Sequence, residues 1–164
     1  LALQLAKAEG LTVISITRNP DKKQFLLDNG ADHVIIESDT IVSKVKEIIP
    51  GGVSKVLELI GTATLKDSLK CIATKGLVCM TGILGNEWTM KEFTPMGDIP
   101  SLGRLTVYMG TEHLPKGMLQ DFIDKVEAGI INLSIDKVFQ LDEVAVAHQY
   151  MEDNKAKGKI VVEV

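Results

Sequence analysis

The sequence predicts an α/β fold built on an open, doubly wound parallel sheet. Apolar, mostly β-branched runs begin near residues 11, 33, 54, 77 and 104. That spacing of roughly twenty-odd residues leaves room for one helical crossover between successive strands. The runs are apolar on both sides, as strands covered on both faces must be. Between them lie residues that start and stop helices.

The elements follow in order. LALQLAKAEG (1–10) reads as the middle of a helix, with Leu1 and Leu5 on one face and no capping residue before it. LTVISIT (11–17) is the first strand candidate. Asn19 as cap, Pro20 at the first helical position and Asp21 near the positive dipole end start a helix that stops at Asn29-Gly30. HVII (33–36) is the next strand. Ser38, Asp39 and Thr40 offer a cap for a helix reaching about Ile49, before Pro50-Gly51-Gly52. SKVLELI (54–60) is followed by a helix over roughly 63–73 and a turn at Lys75-Gly76. LVCMTG (77–82) and RLTVYMG (104–110) complete the series. Beyond a helix at about 115–129 come a strand at 136–141 and a helix that Asp142 caps, with Leu141 and Val146 spaced as a hydrophobic staple. That helix runs to about Asn154, and an alternating strand within 157–164 ends the chain. A domain boundary is expected near 130.

Composition narrows the function. A 164-residue chain can bury about 69% of its unfolded surface, so a core forms without staples. Only 4% of residues are aromatic, so that core is aliphatic. A net charge of −4 leaves no broad basic surface, so no nucleic-acid partner is expected. No apolar run approaches a membrane span, and no charged-then-apolar leader opens the chain. Cys71 and Cys79 stand in no CxxC pair and read as reduced thiols, which fits a cytoplasmic location. His33, His113 and His148 are too dispersed for a compact metal site, so no metal ligand is expected.

Ligands of open α/β sheets bind at the carboxyl ends of strands. An acid there, after the second strand of a dinucleotide-binding fold, would hold the ribose hydroxyls of NAD. Here the corresponding position is Thr17, followed by Arg18 and, one helical turn on, Lys22. A hydroxyl and two cations suit a 2′-phosphate and therefore NADP(H), although solvated cations at a helix start would look the same. Gly61, Gly82 and Gly85 follow strands closely, where they either let a ligand approach the backbone or simply end the strand. Neither GxGxxG nor a Walker sequence occurs. No nucleophile constellation is visible, and no catalytic residue is assigned. Glu58, within a strand, needs a partner if buried. Trp88, in the loop after the fourth strand, either shields a cofactor or pins that loop.

Taken in order, three segments carry a resemblance. They are LQLAKAEGLTVISITRNPDKK with LLDNGADHVI, then VLELIGTATLKDSLKCIATKGLVCMTGILG, then FQLDEVAVAHQYMEDNKAKGKIVVEV. The chain resembles the medium-chain dehydrogenase/reductase superfamily, in its quinone oxidoreductase and zinc-type alcohol dehydrogenase-like branch. The resemblance implies a Rossmann-like sheet lacking its first strand and glycine-rich loop, over residues 1–130. It implies that 131–164 is a C-terminal segment returning to a catalytic domain that precedes this sequence. It implies an NADP(H)-dependent oxidoreductase acting on a quinone, enone, aldehyde, ketone or alcohol as small-molecule substrate. The chain alone would be inactive, with zinc not expected from this segment. Thr17, Arg18 and Lys22 match the 2′-phosphate site. The resemblance implies that Gly61 lies beside the adenine and ribose and that Gly82, Ile83 and Leu84 line the nicotinamide side, with Met109 and Gly110 near the same pocket. Glu37 stands where the family often has an aromatic residue, so adenine packing there is not implied. A homodimer through the edge strand 104–109 is implied as well. The rival expectation is a non-catalytic relative that binds or assembles. Without the family's first strand a slot would open in the sheet, and the lone chain is expected to be unstable, to swap, or to close that gap another way.

Overall fold

Parallel pairing carries the architecture. The computed structural model describes residues 1–37, 41–110, 115–153 and 155–164. It divides into two compact units, Leu1–Val13 with Pro115–Val164, and Ile14–Leu114.

In the unit Ile14–Leu114, β1 (Ile14–Thr17) pairs with β2 (His33–Ile36), placing Ile14 opposite His33 and Thr17 opposite Ile36. A second sheet has the order β3–β4–β5, from β3 (Val53–Glu58), β4 (Ile72–Met80) and β5 (Arg104–Val107). Both are wholly parallel. Among the described residues β1 pairs only with β2, and β3 only with β4, so each keeps one edge without a strand.

The crossovers form for local reasons. Asn19 Oδ1 accepts the Asp21 amide at 2.9 Å, and Pro20 opens a 3₁₀ turn, Pro20–Lys22, that runs into α2 (Lys23–Asp28). Asn29 and Gly30 (φ +101°) close that helix, as expected. α3 (Ile41–Ile48) ends before Pro50, while its expected cap, Ser38 to Thr40, lies outside the described residues. α4 (Thr62–Cys71) stops two residues earlier than the sequence suggests, because Ile72 already pairs with Val53. The chain then bulges through Lys75 (φ +65°) and Gly76 before Leu77 meets Lys55. A methyl group on Gly76 would stand 2.7 Å from Ile72 Cβ. Short α5 (Pro95–Asp98) lies in the long loop before β5.

Two aliphatic clusters hold these layers. Ile35, Ile41, Val45 and Cys71 form one, with Ile14 and Val53 packed against it. Leu65, Leu69, Ile72 and Val78 form the other, with Val56, Met80, Met90 and Phe93 around it. Leu69 and Val78 are fully buried, each contributing about 1.5–3 kcal/mol of apolar transfer.

The other unit contains α1 (Ala2–Ala8), α6 (Met118–Glu127), and a βαβ arrangement of β6 (Ile135–Gln140), α7 (Val144–Glu152) and β7 (Lys159–Glu163). β6 and β7 are parallel. Phe139, Ile131 and Ala147 are buried. Phe139 meets the Tyr150 ring at 6.0 Å, and Tyr150 donates its hydroxyl to Asp136 at 2.9 Å. Glu9 pairs with Lys125 at 2.9 Å, and Gln4 accepts the Asn132 amide at 2.7 Å. Gly158 is required: any Cβ there would collide with the Ser134 carbonyl.

The start of α7 corrects one expectation. Gln140 and Glu143, rather than Asp142, form a capping box, with the Gln140 amide donating to Glu143 at 3.0 Å. The longer Gln and Glu side chains reach one another's backbone across a 3₁₀ turn at Leu141–Glu143 that precedes α7. Leu141 and Val146 stay exposed. The expected helix end at Asn154 lies outside the described residues.

Candidate functional site

The chemistry-bearing residues gather at strand carboxyl ends, in two groups on separate hydrogen-bonded sheets. The first is the corner after β1. Pairing continues one step past the strands, as the Glu37 amide donates to the Thr17 carbonyl at 2.9 Å. The Thr17 hydroxyl accepts the Asn19 amide at 3.2 Å, and the Lys22 amide donates to the Asn19 carbonyl at 3.1 Å. Asn19 therefore braces the corner from both directions, a role its capping position only partly announced. Arg18 is exposed and Lys22 half-buried, and neither makes an ion pair among the described residues. With Lys23, and against Asp21 and Glu37, this corner carries an excess of one positive charge.

The second group lies after β3, β4 and β5. Gly61 (φ +101°) precedes α4, and a methyl group there would stand 3.2 Å from Ile83 Cα and 3.3 Å from the Gly82 carbonyl. Gly82 faces the Leu59 carbonyl and Gly85 the Ile60 carbonyl, at 2.6 and 3.0 Å from where a Cβ would sit. The Leu84 and Gly85 amides donate to those same carbonyls at 3.0 and 2.8 Å. Glycines after both strands thus let two loops lie backbone against backbone. Leu84 projects outward, while Ile83 is half-buried. After β5, the Tyr108 amide donates to the Met80 carbonyl at 3.0 Å, and Met109 and Gly110 follow it in the chain. Met109 is 85% exposed.

Two features exceed what the sequence announced. Glu58, only 4% exposed, ends β3 and accepts from the Ile60 amide (2.8 Å), the Gly61 amide (3.1 Å), Thr64 (2.9 Å) and Ser68. Thr64 and Ser68 are four residues apart on one helical face, a spacing that marks the partners of a buried acid. The loop after β4 is held against α4 by Thr62, donating to the Glu87 carbonyl at 2.6 Å. Lys66 adds a bond to the Glu92 carbonyl at 2.9 Å and an ion pair with Asp98 at 3.3 Å. Met90 and Phe93 pack inward from that loop, while Trp88 is 75% exposed.

His33 and His148 are exposed, and His113 lies outside the described residues. Burial pushes the Cys71 thiol up to about 11, with Asp67 adding to the rise, so it stays protonated at neutral pH. Cys71 and Cys79 are both free thiols. No helix among the described residues is long and apolar enough to cross a membrane.

A parallel α/β sheet with glycine-lined strand ends and a cationic corner defines a dinucleotide-binding type of fold. Residues 29–162 match the family model for zinc-binding dehydrogenases, and the chain belongs to that family, within the medium-chain dehydrogenase/reductase superfamily. It is 30% identical over 99% of its length to a zinc-type alcohol dehydrogenase-like protein of Schizosaccharomyces pombe, covering 48% of that protein. It is 29% identical over its whole length to a probable quinone oxidoreductase of Leishmania amazonensis, covering 53% of it. The crystal structure of AibC superposes with a TM-score of 0.85 at 26% identity, over 98% of this chain and 44% of that one. The chain therefore spans about half the length of the curated relatives it matches. Among the described residues no group of three His, Cys, Asp or Glu side chains is placed to hold the zinc of the family's description.

Proposed function

We propose that this chain is the cofactor-binding part of an NADP(H)-dependent oxidoreductase acting on a quinone, enone, aldehyde, ketone or alcohol. The observation that carries this is the corner after β1. It holds a threonine where an NAD-selective site would hold an acid, and two cations with no ion pair among the described residues. This donor set fits a phosphomonoester: Arg18 offers a planar fork, Lys22 a point charge and Thr17 a hydroxyl. NADP(H), when bound, supplies or accepts the hydride. The protein's own part is to bind and orient it. Gly61 and Gly82 let the two strand-end loops pack closely against each other, while Ile83, Leu84 and Met109 offer apolar surface for the ring, with Gly110 completing the turn. Catalytic acid–base groups are not assigned to these residues.

Titration of the full-length protein with NADPH and NADH tests the clamp. In an Arg18→Ala, Lys22→Ala double variant the preference for NADPH is expected to fall about 10- to 100-fold, with NADH affinity retained. An unchanged preference overturns the assignment. We further propose a cytoplasmic homodimer joined through the edge at 104–109, where Val107 in β5 and Tyr108 and Met109 just after it are exposed. Val107→Lys is expected to yield monomers in sedimentation equilibrium.

A further inference from the structure

We propose that Glu58 is a positioning residue for the cofactor, setting the two glycine loops that the dinucleotide would meet. The proposal rests on the dinucleotide assignment above. Four neutral donors converge on this one buried side chain: two successive backbone amides, Ile60 and Gly61, and the hydroxyls of Thr64 and Ser68. A carboxylate is acceptor-only and has sites for all four. Among the described residues it has no cationic partner, so these bonds alone offset its burial.

What the carboxylate holds is a turn. The clamped residues Ile60 and Gly61 lead into α4, and the Leu59 and Ile60 carbonyls in turn accept the Leu84 and Gly85 amides. Glu58's own carbonyl accepts the Thr81 amide at 2.9 Å. Contact across the two loops is already close, since Gly82 leaves no room for a Cβ over the Leu59 carbonyl and Gly85 only a tight 3.0 Å over that of Ile60. A turn released by losing the carboxylate would therefore carry the Gly82–Gly85 loop with it. A misplacement of about 1 Å near a bound reactant has large effects.

The test is NADPH titration of the full-length wild type, Glu58→Ala, Glu58→Gln and Leu69→Val, each followed by thermal melting. Leu69, buried on the inner face of the same helix, controls for general loss of stability. Glu58→Ala is expected to raise the NADPH Kd about 10- to 100-fold. Glu58→Gln keeps one acceptor oxygen for the amides, and Ser68 can turn its hydroxyl to accept. It is expected to stay within about threefold of wild type. Leu69→Val is expected to lower Tm while leaving Kd within about twofold. The proposal is overturned if Glu58→Ala binds as wild type does, or if Leu69→Val weakens binding as strongly. Should Glu58→Ala fail to fold, Thr64→Val and Ser68→Ala each delete one donor, and an unchanged Kd in both overturns it. A wild type that binds neither NADPH nor NADH sinks the dinucleotide assignment, and this proposal with it. Failure confined to the variants sinks only the role of Glu58.

Discussion

A methyl group is enough to test the geometry of the strand ends. Alanine at position 82 places its Cβ 2.6 Å from the Leu59 carbonyl, a backbone atom that cannot swing aside. Gly82→Ala is expected to destabilise by about 1–3 kcal/mol, read from chemical denaturation. The opposite change, in the core, is Leu69→Ala, which empties a fully buried site and is expected to cost about 2–5 kcal/mol. The thiols give a chemical probe at the same scale. Cys71 is buried and held protonated well above neutrality, so the native protein is expected to be alkylated at the half-buried Cys79 first, as peptide mapping would show. Equal labelling of both residues would contradict the burial of Cys71.

At the level of elements, β2 and β5 begin at the residues their apolar runs predict, His33 and Arg104. β1 does not. Its run opens at Leu11, but Gly10 (φ +73°) turns the chain and the Leu11 amide returns to the Ala6 carbonyl at 3.0 Å. Leu11 thus completes the end of α1, and pairing starts only at Ile14, opposite His33. The cationic corner was legible because Thr17, Arg18 and Lys22 are neighbours in sequence. The latch over α4 was not, because Thr62 and Lys66 reach carbonyls some twenty-five residues away and carbonyls carry no sequence signal. The latch predicts a pH response. The Thr94 amide, followed by Lys66, holds the Asp98 carboxyl below its usual 3.8. A lowered folded pKa contributes stability that is present above the unfolded value and lost as pH falls through the folded one. Asp98→Asn is therefore expected to lower Tm at pH 6, with the gap to wild type shrinking below pH 4, as melts across that range would show.

For the whole molecule, the strands in Ile14–Leu114 form two hydrogen-bonded pieces, and among the described residues no pairing joins β1 to β3. Ile14 and Val53 reach the same aliphatic cluster from the two pieces, although no strand pairing joins them. Unpaired parallel edges invite another chain. The 164-residue chain on its own is expected to gain apparent mass with concentration in sedimentation runs, and a constant monomer mass would contradict this.

The unit that joins Leu1–Val13 to Pro115–Val164 has a consequence for synthesis. Gln4 and Glu9 find Asn132 and Lys125 at separations of 128 and 116 residues. At a ribosome's pace of about 5–20 residues per second, α1 emerges on the order of ten seconds before its partners exist. Throughout that interval Gln4 and Glu9 wait for these two partners, and nascent-chain chaperones would meet α1 before those contacts form.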